Sequence, residues 1–92
     1  MDFKKIKVEG NLIFTDPVSK RMIRDSSSYK YVELDLEGIE FMDSTGVELL
    51  SKLAIQLKDK GGLLKIINVR RELMDIFILC NVENMAEIRE IA

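Results

Sequence analysis

Between residues 31 and 67 the hydrophobic pattern changes period twice, and this constrains the fold more than any other feature of the chain. Over residues 46–60 the apolar positions Val47, Leu50, Leu53, Ala54 and Leu57 recur at helical spacing, with Glu48, Lys52, Gln56 and Lys58 among them. Gly61-Gly62 stops this helix, since glycine accepts the left-handed backbone that closes a helix end. Residues 63–67, Leu-Leu-Lys-Ile-Ile, then read as a short, largely buried strand. Upstream, residues 31–36 alternate in part, begin with an aromatic and a β-branched residue, and close at Glu37-Gly38. Strand, helix and strand in this order make a crossover unit, expected to be right-handed.

The flanking segments extend the pattern. Residues 3–8 look like a lysine-decorated strand, and Glu9-Gly10-Asn11 supplies turn chemistry before the apolar run from Leu12 to Phe14. A hairpin, or two adjacent strands, is the expectation there. Asp16-Pro17 is a helix start, because the carboxylate can accept the first free amide hydrogens and proline has none to satisfy; that helix should reach about Asp25, with Ser26-Ser27-Ser28 as the loop after it. Leu73, Ile76, Phe77 and Cys80 fall at helical spacing, after Asn68 as a loop or cap residue and before Asn81 as a stop, which predicts a third helix over residues 71–80 with Cys80 as a buried core thiol. Met42 and Met74 read as packing or contact residues and Arg70-Arg71 as a solvated pair. In the tail after Val82, Met85, Ile88 and Ile91 suit either a helix or a last strand. The expected architecture is α/β: one domain over residues 1–92, with a mixed four- to five-stranded sheet packed against three to four helices.

With 92 residues the chain has room for one core, and folding should bury about two-thirds of its surface, enough to fold without staples. Fourteen Lys and Arg against sixteen Asp and Glu give a net charge of −2, so nothing draws the whole chain to nucleic acid or anionic lipid. Cys80 is the only cysteine, no leader of signal-peptide type is visible, and no apolar run approaches the ~20 residues of a membrane span. A cytoplasmic protein without membrane insertion fits these features.

The chain has no histidine, which removes the Ser-His-Asp triad, the Cys-His pair and histidine-bearing zinc clusters. There is no GxGxxG and no glycine-rich loop ending in Gly-Lys-Ser or Gly-Lys-Thr to cradle a nucleotide. Asp35, Glu40 and Asp43 lie close enough in sequence to suggest magnesium, but they read as solvated acids because magnesium sites usually also recruit substrate phosphates. The expectation is a binding protein and not an enzyme, with no catalytic residue, cofactor or metal.

The informative segment is Phe41-Met42-Asp43-Ser44-Thr45-Gly46, between the strand at 31–36 and the helix at 46–60. A helix start offers unpaired amides and the positive end of the helix dipole, so Asp43, Ser44 and Thr45 can all cap it. A phosphate on Ser44 would add roughly −1.5 to −2 charge, which the dipole would favour by about 0.3 to 1 kcal/mol. The fold should therefore survive phosphorylation, whereas a partner resting on this end would meet new charge and bulk beside Asp43 and Glu48. On the residues alone, simple capping and a phosphorylation switch both fit.

The run from Val32 to Val47, with its strand, acidic loop, Phe-Met and Asp-Ser-Thr-Gly, resembles the signature of STAS domains of the anti-sigma-factor antagonist family, and the likeness extends over residues 31–83. The resemblance implies that Ser44 is the phosphoacceptor, that Thr45 is its capping neighbour, and that Asp43, Ser44, Thr45, Gly46, Val47 and Glu48 lie on the partner-binding face. It implies as partners an anti-sigma factor that is also a serine kinase of the GHKL type, which would supply the ATP, and a phosphatase that restores the binding form. It is compatible with a monomer or weak dimer. A STAS adaptor subunit of a transporter-associated or stress-signalling complex, with no switch at Ser44, is the alternative. Two departures stand out. Where the family often has Gly, an acid, an apolar residue and Asp, this chain reads Gly10-Asn11-Leu12-Ile13, with Asp16 as the nearest acid; and the family's further C-terminal helix is expected to be short or absent.

Overall fold

A computed structural model describes residues 2–13 and 15–91. The elements run β1 (Lys4–Lys7), α1 (Pro17–Ser26), β2 (Tyr31–Asp35), α2 (Ser44–Asp59), β3 (Leu63–Val69), α3 (Arg71–Leu79), a 3₁₀ turn (Val82–Asn84) and β4 (Glu87–Glu90). The four strands form one sheet in the order β1-β2-β3-β4, and every pairing is parallel. Because the strand order never reverses, right-handed crossovers carry all three helices to the same face. The core confirms it: Val32, Leu34, Leu64 and Ile66 from one face of the sheet cluster with Ile23 of α1, Leu50, Leu53 and Leu57 of α2, and Leu73 and Phe77 of α3.

The α/β architecture agrees with the four-stranded expectation, but the sheet is parallel throughout where a mixed one was expected. Among the described residues neither the expected hairpin nor a second strand beside β1 forms from this segment. Leu12 makes only an isolated parallel bridge to Met42, and Phe14 lies outside the described residues. Leu12 belongs to a loop that crosses the ends of the strands, and its backbone is taken up by the neighbouring loop: its N–H donates to the Phe41 carbonyl at 3.1 Å and its carbonyl accepts from the Asp43 N–H at 3.0 Å. With that segment out of the sheet, each successive pair of strands is joined through a helix, and parallel pairing follows.

Other boundaries shift for local reasons. Helix α2 begins at Ser44, two residues before the first expected position, and ends through Gly61, whose φ of 78° is the left-handed closure a glycine permits. Strand β3 runs on to Val69, and Asn68 does not cap α3; at φ 55° it donates its side-chain amide to Asp35 at 3.2 Å. The N-cap position of α3 is Arg70, which makes no capping bond through its side chain. Cys80 is exposed, not buried. Leu73 and Phe77 are one turn apart and face the core, but the helix stops at Leu79 and the chain turns through a left-handed Asn81, which carries Cys80 off the buried stripe. The tail resolves as the 3₁₀ turn and then β4 at the sheet edge.

Candidate functional site

The candidate segment sits where two loops meet at the C-terminal ends of β1 and β2. Asp16 organises the first loop. One carboxylate oxygen accepts from the Asn11 amide at 2.7 Å, while the other accepts from Val18 at 3.0 Å and Ser19 at 3.2 Å, which caps α1. These amide bonds, that from Asn11 first, hold the Asp16 carboxyl below its ordinary range. Asp16 is thus engaged in shaping its own loop. The Ser19 hydroxyl adds a bond to the Asn11 carbonyl at 2.5 Å.

Held in this way, Asn11 reaches the second loop. Its side-chain oxygen accepts from the amides of Glu40 at 3.1 Å and Phe41 at 3.2 Å. Together with the Leu12 bridge, this fixes the path of residues 40–43 into α2. Gly46 lets the helix seat against that bracket, since a Cβ there would lie 2.3 Å from the Leu12 carbonyl oxygen and 2.7 Å from the Leu12 Cβ. Only a residue without a side chain fits such an approach.

Capping falls to Asp43 alone. Its carboxylate accepts from the amides of Thr45 at 2.9 Å and Gly46 at 3.3 Å. Ser44 and Thr45 are the first two residues of the helix, so Thr45 donates an amide to the cap and does not itself cap. The Ser44 side chain is exposed and forms no hydrogen bond among the described residues. Its hydroxyl therefore stands at the positive end of a 16-residue helix with no structural task.

The six residues expected on the partner face separate into two groups. Ser44 and Glu48 are exposed and lie one turn apart on the same side of α2, and Asp43 and Thr45 are half-buried beside them. Gly46 and Val47 are buried and shape the surface from beneath. Phe41, which is not among the six, is 62 % exposed three residues before Ser44. A large apolar side chain presented by a braced loop suits protein contact. Its exposure could not be read from the Phe-Met pair, because one of the two points in and one out.

Two of the three acids considered for magnesium are occupied locally: Asp35 accepts from the Glu37 amide and the Asn68 side chain, and Asp43 caps α2, while Glu40 is exposed. Among the described residues no group of three His, Cys, Asp or Glu is placed to hold a metal ion, and no helix is long and apolar enough to cross a membrane. Among the described residues the uninterrupted strand order also provides no topological switch point, the place where open α/β sheets form a ligand crevice.

Comparison with known proteins bears on the family and the fold. The sequence model of the STAS domain matches residues 4–90. A crystal structure of a candidate anti-sigma factor antagonist from Thermotoga maritima superposes with a TM-score of 0.72 at 18% identity, covering 91% of this chain and 73% of that one. No curated protein matches the chain.

Proposed function

The chain belongs to the STAS domain family, and on that premise we propose that it is an anti-sigma-factor antagonist switched by phosphorylation of Ser44. In its unmodified form it binds an anti-sigma factor that is also a GHKL-type serine kinase, through the start of α2 and the loops braced against it. Phosphorylation by that kinase releases it, a phosphatase restores the binding form, and the cycle controls sigma-factor-dependent transcription in the cytoplasm. The protein itself does no chemistry.

The observation that carries this reading is the division of labour at the helix start. Asp43 caps, Gly46 and Val47 pack, and the Ser44 hydroxyl is left exposed and uncommitted. A phosphoryl group added there would meet the favourable end of the α2 dipole, so the folded state would keep its shape. It would also place about two negative charges on a face where the exposed Phe41 gives way to Asp43 and Glu48. A partner complementary to the unmodified surface would then have to desolvate and oppose that charge, which weakens binding with no change of fold.

The test is a pull-down from native extract with wild-type protein and the Ser44→Asp variant, reading bound proteins and the intact mass of the bait together. Capture of a GHKL-type kinase by the wild type, lost in the variant, is the expected result. Equal capture by both, or capture of transporter subunits, would assign the domain to an adaptor role without a switch.

A further inference from the structure

Exposed apolar side chains are common on folded proteins, and one by itself carries little meaning. Phe41 is set apart by how firmly its backbone is held. Its N–H donates to the Asn11 side-chain oxygen at 3.2 Å, and its carbonyl accepts from the Leu12 N–H at 3.1 Å. The preceding Glu40 N–H shares the same Asn11 oxygen at 3.1 Å. On either side the loop is pinned inward, with Ile39 fully buried and Met42 packed against the core. Of the apolar side chains in residues 36–43, that of Phe41 alone is left largely in water.

Asn11 is in turn locked from behind. Its N–H donates to the Asp16 carboxylate at 2.7 Å, and its carbonyl accepts from the Ser19 hydroxyl at 2.5 Å. A chain of hydrogen bonds thus runs from the first turn of α1 through Asn11 to the backbone of Phe41, and it fixes where the ring stands, three residues from Ser44. Leu79 is more exposed, at 82 %, but it is the last residue of α3, at the opposite end of the sheet from Ser44.

We infer that Phe41 is the anchor of partner binding at this end, its ring entering an apolar pocket of the anti-sigma kinase, and that Asn11 is the residue that positions it. The inference rests on the proposed function, which supplies the partner, and adds to it a contact outside residues 43–48. Interface anchors are large side chains that pass from water into a closely fitting pocket, with aromatic residues prominent among them. A ring whose backbone is already fixed has less freedom to lose when it docks. Anchor and switch are then separate: loss of the ring shortens the life of the complex whether or not Ser44 is modified.

The test uses wild type, Phe41→Ala, Asn11→Ala and the double variant as baits in native extract. The protein retained by the wild type is then purified, and its affinity for all four is measured by surface plasmon resonance. Phe41→Ala should weaken binding by about 30-fold or more, chiefly through faster dissociation, while the urea midpoint of the free protein stays near that of wild type. Asn11→Ala should weaken binding by roughly tenfold in the wild-type background and by less than about twofold in the Phe41→Ala background, because without the ring it has nothing to position. Circular dichroism checks each fold, and Asn11→Ser takes the place of Asn11→Ala should the latter fail to fold. Equal capture by the wild-type and Phe41→Ala baits, including capture of nothing by both, or an affinity unchanged by Phe41→Ala, would overturn the anchor. Equal losses from Asn11→Ala in the two backgrounds would overturn its positioning role. A Ser44→Asp bait run in parallel keeps the two readings apart. Capture lost with Ser44→Asp but kept with Phe41→Ala contradicts the anchor alone, and the converse contradicts the switch alone.

Discussion

Two helices in this molecule start in the same way and end in different roles. At α1, Asp16 caps, Pro17 follows, and the third helical residue, Ser19, is buried and donates its hydroxyl to the Asn11 carbonyl. At α2, Asp43 caps, Ser44 follows, and the third residue is Gly46, buried against the Leu12 carbonyl. Both starts press on the same short loop. In the first, the cap carboxylate and the Ser19 hydroxyl both have structural partners, and the position after the cap is a proline with nothing to modify. The second has the same brace and cap, and the position after the cap carries an exposed hydroxyl. The difference separates a helix start whose hydroxyl is used to hold structure from one whose first hydroxyl is left exposed.

Substitutions at the third helical position should break the comparison most strongly. Gly46→Ala forces a Cβ against backbone and should destabilise the fold by about 2 to 3 kcal/mol in urea unfolding, whereas Gly38→Ala, where the nearest atom to a new Cβ is 3.9 Å away, serves as a control near zero. Asp43→Ala removes the α2 cap and should cost about 1 kcal/mol, and Ser19→Ala should cost a similar amount, about 1 kcal/mol, by orphaning the buried bond to Asn11. Ser44→Ala should change stability by less than about 0.5 kcal/mol while abolishing phosphate uptake from the kinase, as read by intact mass. A large stability loss in Ser44→Ala would mean that its hydroxyl has a structural task after all.

Acid should sharpen the comparison from the other side. The amide bonds lower the Asp16 pKa in the folded state from its ordinary value of 3.8, so the folded form binds fewer protons there than the unfolded chain does. That contribution to stability is complete above 3.8 and is lost as pH falls through the lower folded value. Between pH 7 and pH 3 the urea midpoint of wild type should therefore fall further than that of Asp16→Asn, which keeps a capping oxygen but cannot titrate. Equal falls would show that Asp16 contributes nothing to acid sensitivity.

The central crossover was legible because its signals are local and redundant. Val47, Leu50, Leu53 and Leu57 repeat on one face, glycines end the helix, and β2 and β3 are rich in strand-forming residues. Leu12 misled because a short apolar run between turn residues satisfies the pattern of a strand. Its place was decided by the side chain of Asn11, whose bonds to Glu40 and Phe41 link residues about thirty apart in sequence. Cys80 misled because periodicity does not show where a helix stops, and β4 was ambiguous because a four-residue edge strand owes its conformation to the strand beside it. At the candidate site, the Asp-Ser-Thr-Gly motif marked the start of α2 but not the assignment of tasks within it. That assignment rests on Gly46 meeting Leu12 across the interface of two loops, a contact no spacing rule contains.

The most direct measurement compares the affinity of unmodified protein and of protein phosphorylated at Ser44 for the captured anti-sigma kinase, by calorimetry, alongside the urea midpoint of both forms. A loss of binding of about 100-fold or more with an unchanged midpoint is the expected result, since the added charge opposes the partner while the helix start accommodates it. Equal affinities would contradict the switch, and a collapsed midpoint would contradict the claim that this helix start was left open for the phosphate.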